Sequence, residues 1–197
     1  MSGQVPKGKQ RASQAKIEDV AEFYQTIDRR NLIHKISPVR PYVYTTMEVY
    51  DQANGIRGAG GLGVLAADTR RVAEDLEIPF VTLTPFYQTE RHQRLEKLEP
   101  HDDYVSRSPE AEGFRAIGQV ALHIKDKPDA TLDIYQKQLG SSRFLCMTEP
   151  NFGPLYCDTP SSDHRLYQMT SLGFGGYAAL KMADLKPAVI QLNETAT

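Results

Sequence analysis

Only two cysteines, Cys146 and Cys157, occur in 197 residues, too few for the paired framework that staples small secreted domains. They have neither a second pair nor a close histidine to complete a zinc site, so both are expected as reduced thiols. The histidines His34, His92, His101, His123 and His164 lack metal-ligand spacing, and no metal is expected. An excess of basic charge is missing too. The net charge is −2, and Lys and Arg are dispersed rather than set beside aromatics, which argues against nucleic acid as a partner. No apolar run is long enough to cross a bilayer, and the N-terminus has no hydrophobic signal region. No membrane partner and a cytoplasmic location are therefore expected. Internal repeats are lacking as well, which excludes a solenoid.

What the chain does have is glycine in one telling place. The run Gly58-Ala59-Gly60-Gly61-Leu62-Gly63-Val64-Leu65-Ala66-Ala67-Asp68 opens directly into a helical pattern. Leu62, Leu65, Thr69, Val72, Ala73 and Leu76 repeat at helical spacing, while Asp68, Arg70, Arg71, Glu74 and Asp75 are assigned to the opposite, polar face. The first backbone N–H groups of a helix have no internal partner and sit at the positive end of its dipole, so such a junction suits a phosphate. Gly58, Gly60 and Gly63 also satisfy the dinucleotide fingerprint. Its context fails twice. The preceding apolar stretch Tyr42-Val43-Tyr44 does not run straight into the first glycine, and no acidic residue closes the next strand, which leads from Ile78 to Thr84 into Pro85 and Phe86.

Residues 1–16 carry Lys7, Lys9, Arg11 and Lys16 with almost nothing large and apolar, and a disordered basic tail is expected there. Ile17, Val20, Ala21, Tyr24 and Ile27 then give a helical stripe, closed by Pro38 and Pro41. A strand over about 42–47, a polar and flexible connection from Glu48 to Ala59, the glycine-opened helix and a second strand from Phe80 to Thr84 make a βαβ unit. Ligands of such a unit bind beyond the C-terminal ends of its strands. The charged stretch from Glu90 to Pro109 reads as a surface excursion, with strands near 115–125, 130–137 and 142–148 after it. A helix follows over about 164–183, and a last strand, Ala188 to Leu192, ends at Asn193-Glu194. The reading is a single α/β unit over 17–197, a Rossmann-like, open, mostly parallel sheet with a β-rich insertion at about 90–160.

Three stretches, in order, resemble the α-glucan phosphorylases, the glycogen, starch and maltodextrin phosphorylases that use pyridoxal phosphate. Tyr42-Val43-Tyr44-Thr45-Thr46-Met47-Glu48-Val49-Tyr50 is similar to the family's strand ending in Met-Glu or Leu-Glu. The segment from Gly60 to Asp68, with Asp75-Leu76-Glu77-Ile78-Pro79, is similar to its Gly-Gly-Leu-Gly-Val-Leu-Ala-Gly-Asp and Asp-Leu-Gly-x-Pro. Leu172-Gly173-Phe174-Gly175-Gly176 and Lys186-Pro187-Ala188-Val189-Ile190-Gln191-Leu192-Asn193-Glu194 are similar to its Leu-Gly-Ile-Gly-Gly helix and its strand end of His or Gln, Leu, Asn and Glu or Asp.

The resemblance implies the N-terminal lobe of a GT-B glycosyltransferase that releases glucose 1-phosphate from α-1,4-glucan. The lysine that carries pyridoxal phosphate would belong to a C-terminal lobe, and this lobe alone would be inactive. Gly60, Gly61 and Leu62 would offer amides to the phosphate; Glu48, Asn193 and Glu194 would line the sugar site; Tyr50 would lie near the cofactor. Taken singly, Tyr50 reads equally as a half-buried strand-end aromatic, while Glu48 and Glu194 have solvated loop carboxylates as their lesser alternative. The implied partners are α-glucan or maltodextrin, phosphate or glucose 1-phosphate, and a C-terminal-lobe chain or a second copy.

The sequence departs from the family where Gln88-Thr89-Glu90-Arg91-His92-Gln93 replaces Arg-x-Gly-Tyr-Phe-x-Gln, and where Thr195-Ala196-Thr197 lacks the histidine that follows the last strand. A non-catalytic glucan- or phosphate-binding module is the alternative these departures raise. A nucleotide-sugar glucan synthase ranks lower, because its lysine before the glycines is replaced by Gly58.

Overall fold

The computed structural model describes residues 35–54, 56, 60–125, 127–153, 155 and 162–193. The expected basic tail at 1–16, the helical stripe from Ile17 to Ile27, Gly58, Cys157 and Glu194 all lie outside them. In chain order the elements are β1 (Tyr42–Thr45), α1 (Gly60–Asp75), β2 (Phe80–Pro85), β3 (Thr89–Glu96) and β4 (Glu99–Ser106). They continue with β5 (Arg115–Leu122), β6 (Ala130–Leu139), β7 (Ser142–Thr148), α2 (Ser162–Met182) and β8 (Val189–Leu192).

Six strands form one mixed sheet in the order β5-β6-β7-β2-β1-β8. β7, β2, β1 and β8 pair in parallel, while β6 runs against both of its neighbours. The strands near 115–148 thus continue the central sheet through the β7–β2 pairing. The charged stretch from Glu90 to Pro109 carries the hairpin β3–β4, a separate two-stranded sheet whose β4 residues are all exposed.

Side chains alternate across the sheet, as the period of an extended strand requires. Val43, Val81, Leu83, Leu145 and Met147 face α2, packing with Leu172, Ala179 and Leu180. Their neighbours Tyr44, Phe80, Phe144 and Cys146 face α1, packing with Ala66, Ala67 and Ala73. This two-sided burial gives the continuous apolar runs of the central strands. Gly176 lets α2 sit down on the sheet: a Cβ there would lie 2.6 Å from Leu83 Cδ2. Cys146 is fully buried and unbridged, and burial pushes its thiol pKa well up. None of the helices among the described residues is long and apolar enough to cross a membrane.

One expectation fails on α1. Its buried residues are Gly63, Ala66, Ala67, Arg70 and Ala73, whereas Leu65, Val72 and Leu76 are mostly exposed. The sheet face beneath α1 is already filled by large aromatics, so the small residues give the close fit. Arg70 is buried with them because carboxylates meet its charge.

Candidate functional site

Parallel pairing sets the C-terminal ends of β7, β2, β1 and β8 along one sheet edge. β1 leaves toward α1 on one face, and β8 is reached from α2 on the other. Neighbouring strands served from opposite faces leave a crevice between them, where open α/β sheets hold ligands.

At this edge Asn193 and Glu48 are linked through Thr46, and Tyr50 is bonded to the first turn of α1. The Thr46 N–H donates to Leu83 O at 3.0 Å, extending the ladder past β1. The Asn193 N–H, just past β8, donates to Thr45 O at 2.9 Å, and Asn193 Nδ2 lies 3.4 Å from Thr46 Oγ1. That hydroxyl donates to the Glu48 carbonyl at 3.0 Å. Glu48 is only 2 % exposed, so it is a buried carboxylate rather than a solvated loop residue. Tyr50 is 37 % exposed, and its N–H donates to Gly63 O at 2.9 Å. A Cβ on Gly63 would lie 3.1 Å from both the Cβ and the N of Tyr50, so glycine is what allows this approach. Gly60, with φ +85°, and Gly61 open α1 and are exposed; Leu62 is half-buried behind them. Glu194, the remaining candidate, is not among the described residues.

The connection after β1 is firmly held rather than flexible over its described part. Val49 and Ile56 are buried, and the N–H of Asp51 and that of Ile56 each donate to the other residue's carbonyl, at 2.7 and 2.9 Å. Lys137 Nζ donates to Asn54 O at 2.9 Å. Asp51 Oδ2 accepts from Arg70 Nη2 at 2.7 Å and Asn54 Nδ2 at 2.9 Å, and Oδ1 from Arg71 Nη2 at 3.2 Å. Arg70 Nη1 reaches Glu74 Oε2 at 2.5 Å. Burial opposes ionisation of Asp51, but the bonds from Asn54 and Arg70 and the Arg70 charge outweigh it and hold the carboxyl below its ordinary pKa.

A second concavity, of about 350 Å³, opens at the end of β7 and the start of α2, lined by Lys127, Asp129, Asn151, Asp163, His164 and Tyr167. Glu149 Oε2 accepts from Asn151 N at 2.9 Å and Nδ2 at 3.1 Å. Burial, and then the Glu149 carboxylate, push the Tyr167 phenol pKa well up, so it stays a neutral hydroxyl. The Phe152 carbonyl accepts from Gln168 Nε2 at 2.7 Å and from His164 Nε2 at 2.9 Å. Reading by sequence spacing missed this cleft, because its walls come from a strand end, a loop and a helix start far apart in the chain. The Asp51–Arg70 pair was missed for another reason. Gly63, Ala66, Ala67, Arg70 and Ala73 themselves form a helical stripe, but the larger residues of the neighbouring stripe outweigh it on a hydropathy count. No group of three or more His, Cys, Asp or Glu residues among the described residues is placed to hold a metal ion.

Comparison of the sequence with protein-family models and with curated proteins finds no match, so any reading of the site stands on its residues and geometry.

Proposed function

We propose that this chain is the N-terminal lobe of an α-glucan phosphorylase-like glycosyltransferase of GT-B architecture. In this reading it holds the terminal glucosyl unit and the phosphate of a phosphorolysis reaction. The observation that supports it most is the linkage of Asn193, Thr46 and Glu48 at the C-terminal edge of the β1–β8 pair, with Tyr50, two residues on, bonded to Gly63 in the first turn of α1. The amides of Gly60, Gly61 and Leu62 give an oriented positive dipole end for the phosphate, which needs no reorganisation as charge develops. Asn193 orients sugar hydroxyls through its amide, and Glu48 forms the buried acidic wall behind them. Pyridoxal phosphate, which the family carries on a lysine of its second lobe, would supply a phosphate group for proton transfer, and Tyr50 would lie near it.

Amide chemical shifts during titration with glucose 1-phosphate at millimolar concentrations test this reading. Gly61, Leu62 and Asn193 are expected to move together and to saturate. Shifts elsewhere only, or none, would overturn it. Saturable maltodextrin binding by this chain without any second lobe would instead favour the non-catalytic binding module, a reading the altered Gln88–Gln93 segment supports.

A further inference from the structure

Tyr50 and Asp51 are adjacent, and each is fastened to α1 at a different turn: Tyr50 by its N–H to Gly63 O at 2.9 Å, Asp51 by its carboxylate to Arg70 at 2.7 Å. The Asp51 side chain is fully buried and that of Arg70 only 3 % exposed. Both Asp51 oxygens and both Arg70 Nη atoms are engaged, which fixes direction as well as distance. Arg70 Nε, by contrast, is buried without a hydrogen-bond partner. A buried ion pair with an unmet donor is a poor device for stability, since apolar residues of similar size often serve as well. What apolar residues cannot supply is orientation of the arm from Glu48 to Asn54.

We propose that Asp51 and Arg70 are positioning residues of the site. Their buried ion pair sets where Glu48 and Tyr50 stand against the first turns of α1, and so sets the affinity for a glucosyl phosphate. The affinity part rests on the function proposed above; the positioning part does not.

Hydrogen exchange of the full chain, read amide by amide, tests the pair. The variants are Arg70→Lys, Arg70→Met and the double substitution Asp51→Leu with Arg70→Met. In the folded double variant the Tyr50 and Ile56 amides are expected to exchange at least tenfold faster, while those of Leu83 and Leu145 in β2 and β7 keep their rates. Arg70→Lys, which retains the charge but not the fork, falls between. Glucose 1-phosphate affinity drops at least tenfold in the double variant and recovers in part with Arg70→Lys. Should the buried substitutions prevent folding, Arg71→Gln removes the contact to Asp51 Oδ1, together with an exposed pairing to Asp68, and is expected to speed Tyr50 exchange about threefold. Unchanged Tyr50 exchange in a folded variant overturns the proposal. So does acceleration by one common factor at every amide, which marks the pair as a general stabiliser. If the unsubstituted chain binds no glucose 1-phosphate, the functional reading and the affinity claim fall, while the exchange rates still decide whether the pair positions the arm.

Discussion

The backbone N–H of Tyr50 donates to the carbonyl of Gly63 at 2.9 Å, and a side chain on Gly63 would press on the Cβ and N of Tyr50 from 3.1 Å. The strand-end arm and the fourth glycine of the run, Gly63, are therefore in direct contact. Gly63→Ala should force the arm away from α1 and cost about 1–3 kcal/mol, as overpacking of a close contact does. At Gly61 a Cβ would meet nothing within 4 Å. Gly61→Ala should leave stability unchanged or raise it by up to about 1 kcal/mol, the helix-propensity gain, while weakening glucose 1-phosphate binding by narrowing the approach to the amides. Urea unfolding and shift titration of the two variants separate these effects. Equal stability of the two would contradict the close contact.

Acid should unfasten the arm. The Asp51 pKa is depressed in the folded state, so its contribution to stability is fully present above the ordinary carboxylate value of about 4 and is lost as pH falls through the lowered one. Between pH 7 and 5 this group adds no slope. Unfolding midpoints measured down to about pH 2.5 should show a decline that Asp51→Asn flattens, the variant starting lower by about 3 kcal/mol because the buried Arg70 loses one of its two carboxylates and keeps only Glu74. Parallel curves for the two proteins would contradict the assignment.

The outer face of α1 is uncovered. Leu65, Val72 and Leu76 are 54 %, 55 % and 65 % exposed and lie near a small apolar recess lined by Tyr42, Thr69, Ile78 and Phe80. Exposed apolar stripes of this kind promote association. The pair Leu65→Lys and Val72→Lys should change unfolding stability by less than about 0.5 kcal/mol and reduce self-association in sedimentation velocity. A large loss of stability would show that this face is packed in solution.

Sequence reasoning located most strands and both long helices because each has a distinct signal: continuous apolar runs in β2 and β7, turn chemistry between them, and glycine opening α1. It also named Thr46's neighbours Glu48 and Asn193, which meet at one sheet edge although they lie far apart in the chain. It mistook the buried face of α1. Hydropathy ranks Leu65 and Val72 above Ala66 and Ala67, yet a helix laid on Tyr44, Phe80 and Phe144 has room only for small residues. Arg70 was read as polar surface for the same reason. Nothing local in the sequence announces that Asp51, on another segment, meets its charge. The arm after β1 was read as flexible from its polarity, but buried Val49 and Ile56 and the Asp51 contacts hold it. The cleft at the start of α2 requires tertiary placement and has no spacing pattern to read.

Mixing this chain with a pyridoxal-phosphate-loaded C-terminal lobe of an α-glucan phosphorylase decides whether it is the lobe of such an enzyme. Glucose 1-phosphate release from maltodextrin and inorganic phosphate is then measured. Release is expected from the assembled pair, none from either part alone, and a clear loss with Asn193→Ala. An assembled complex, verified by sedimentation, that releases no glucose 1-phosphate would contradict this reading.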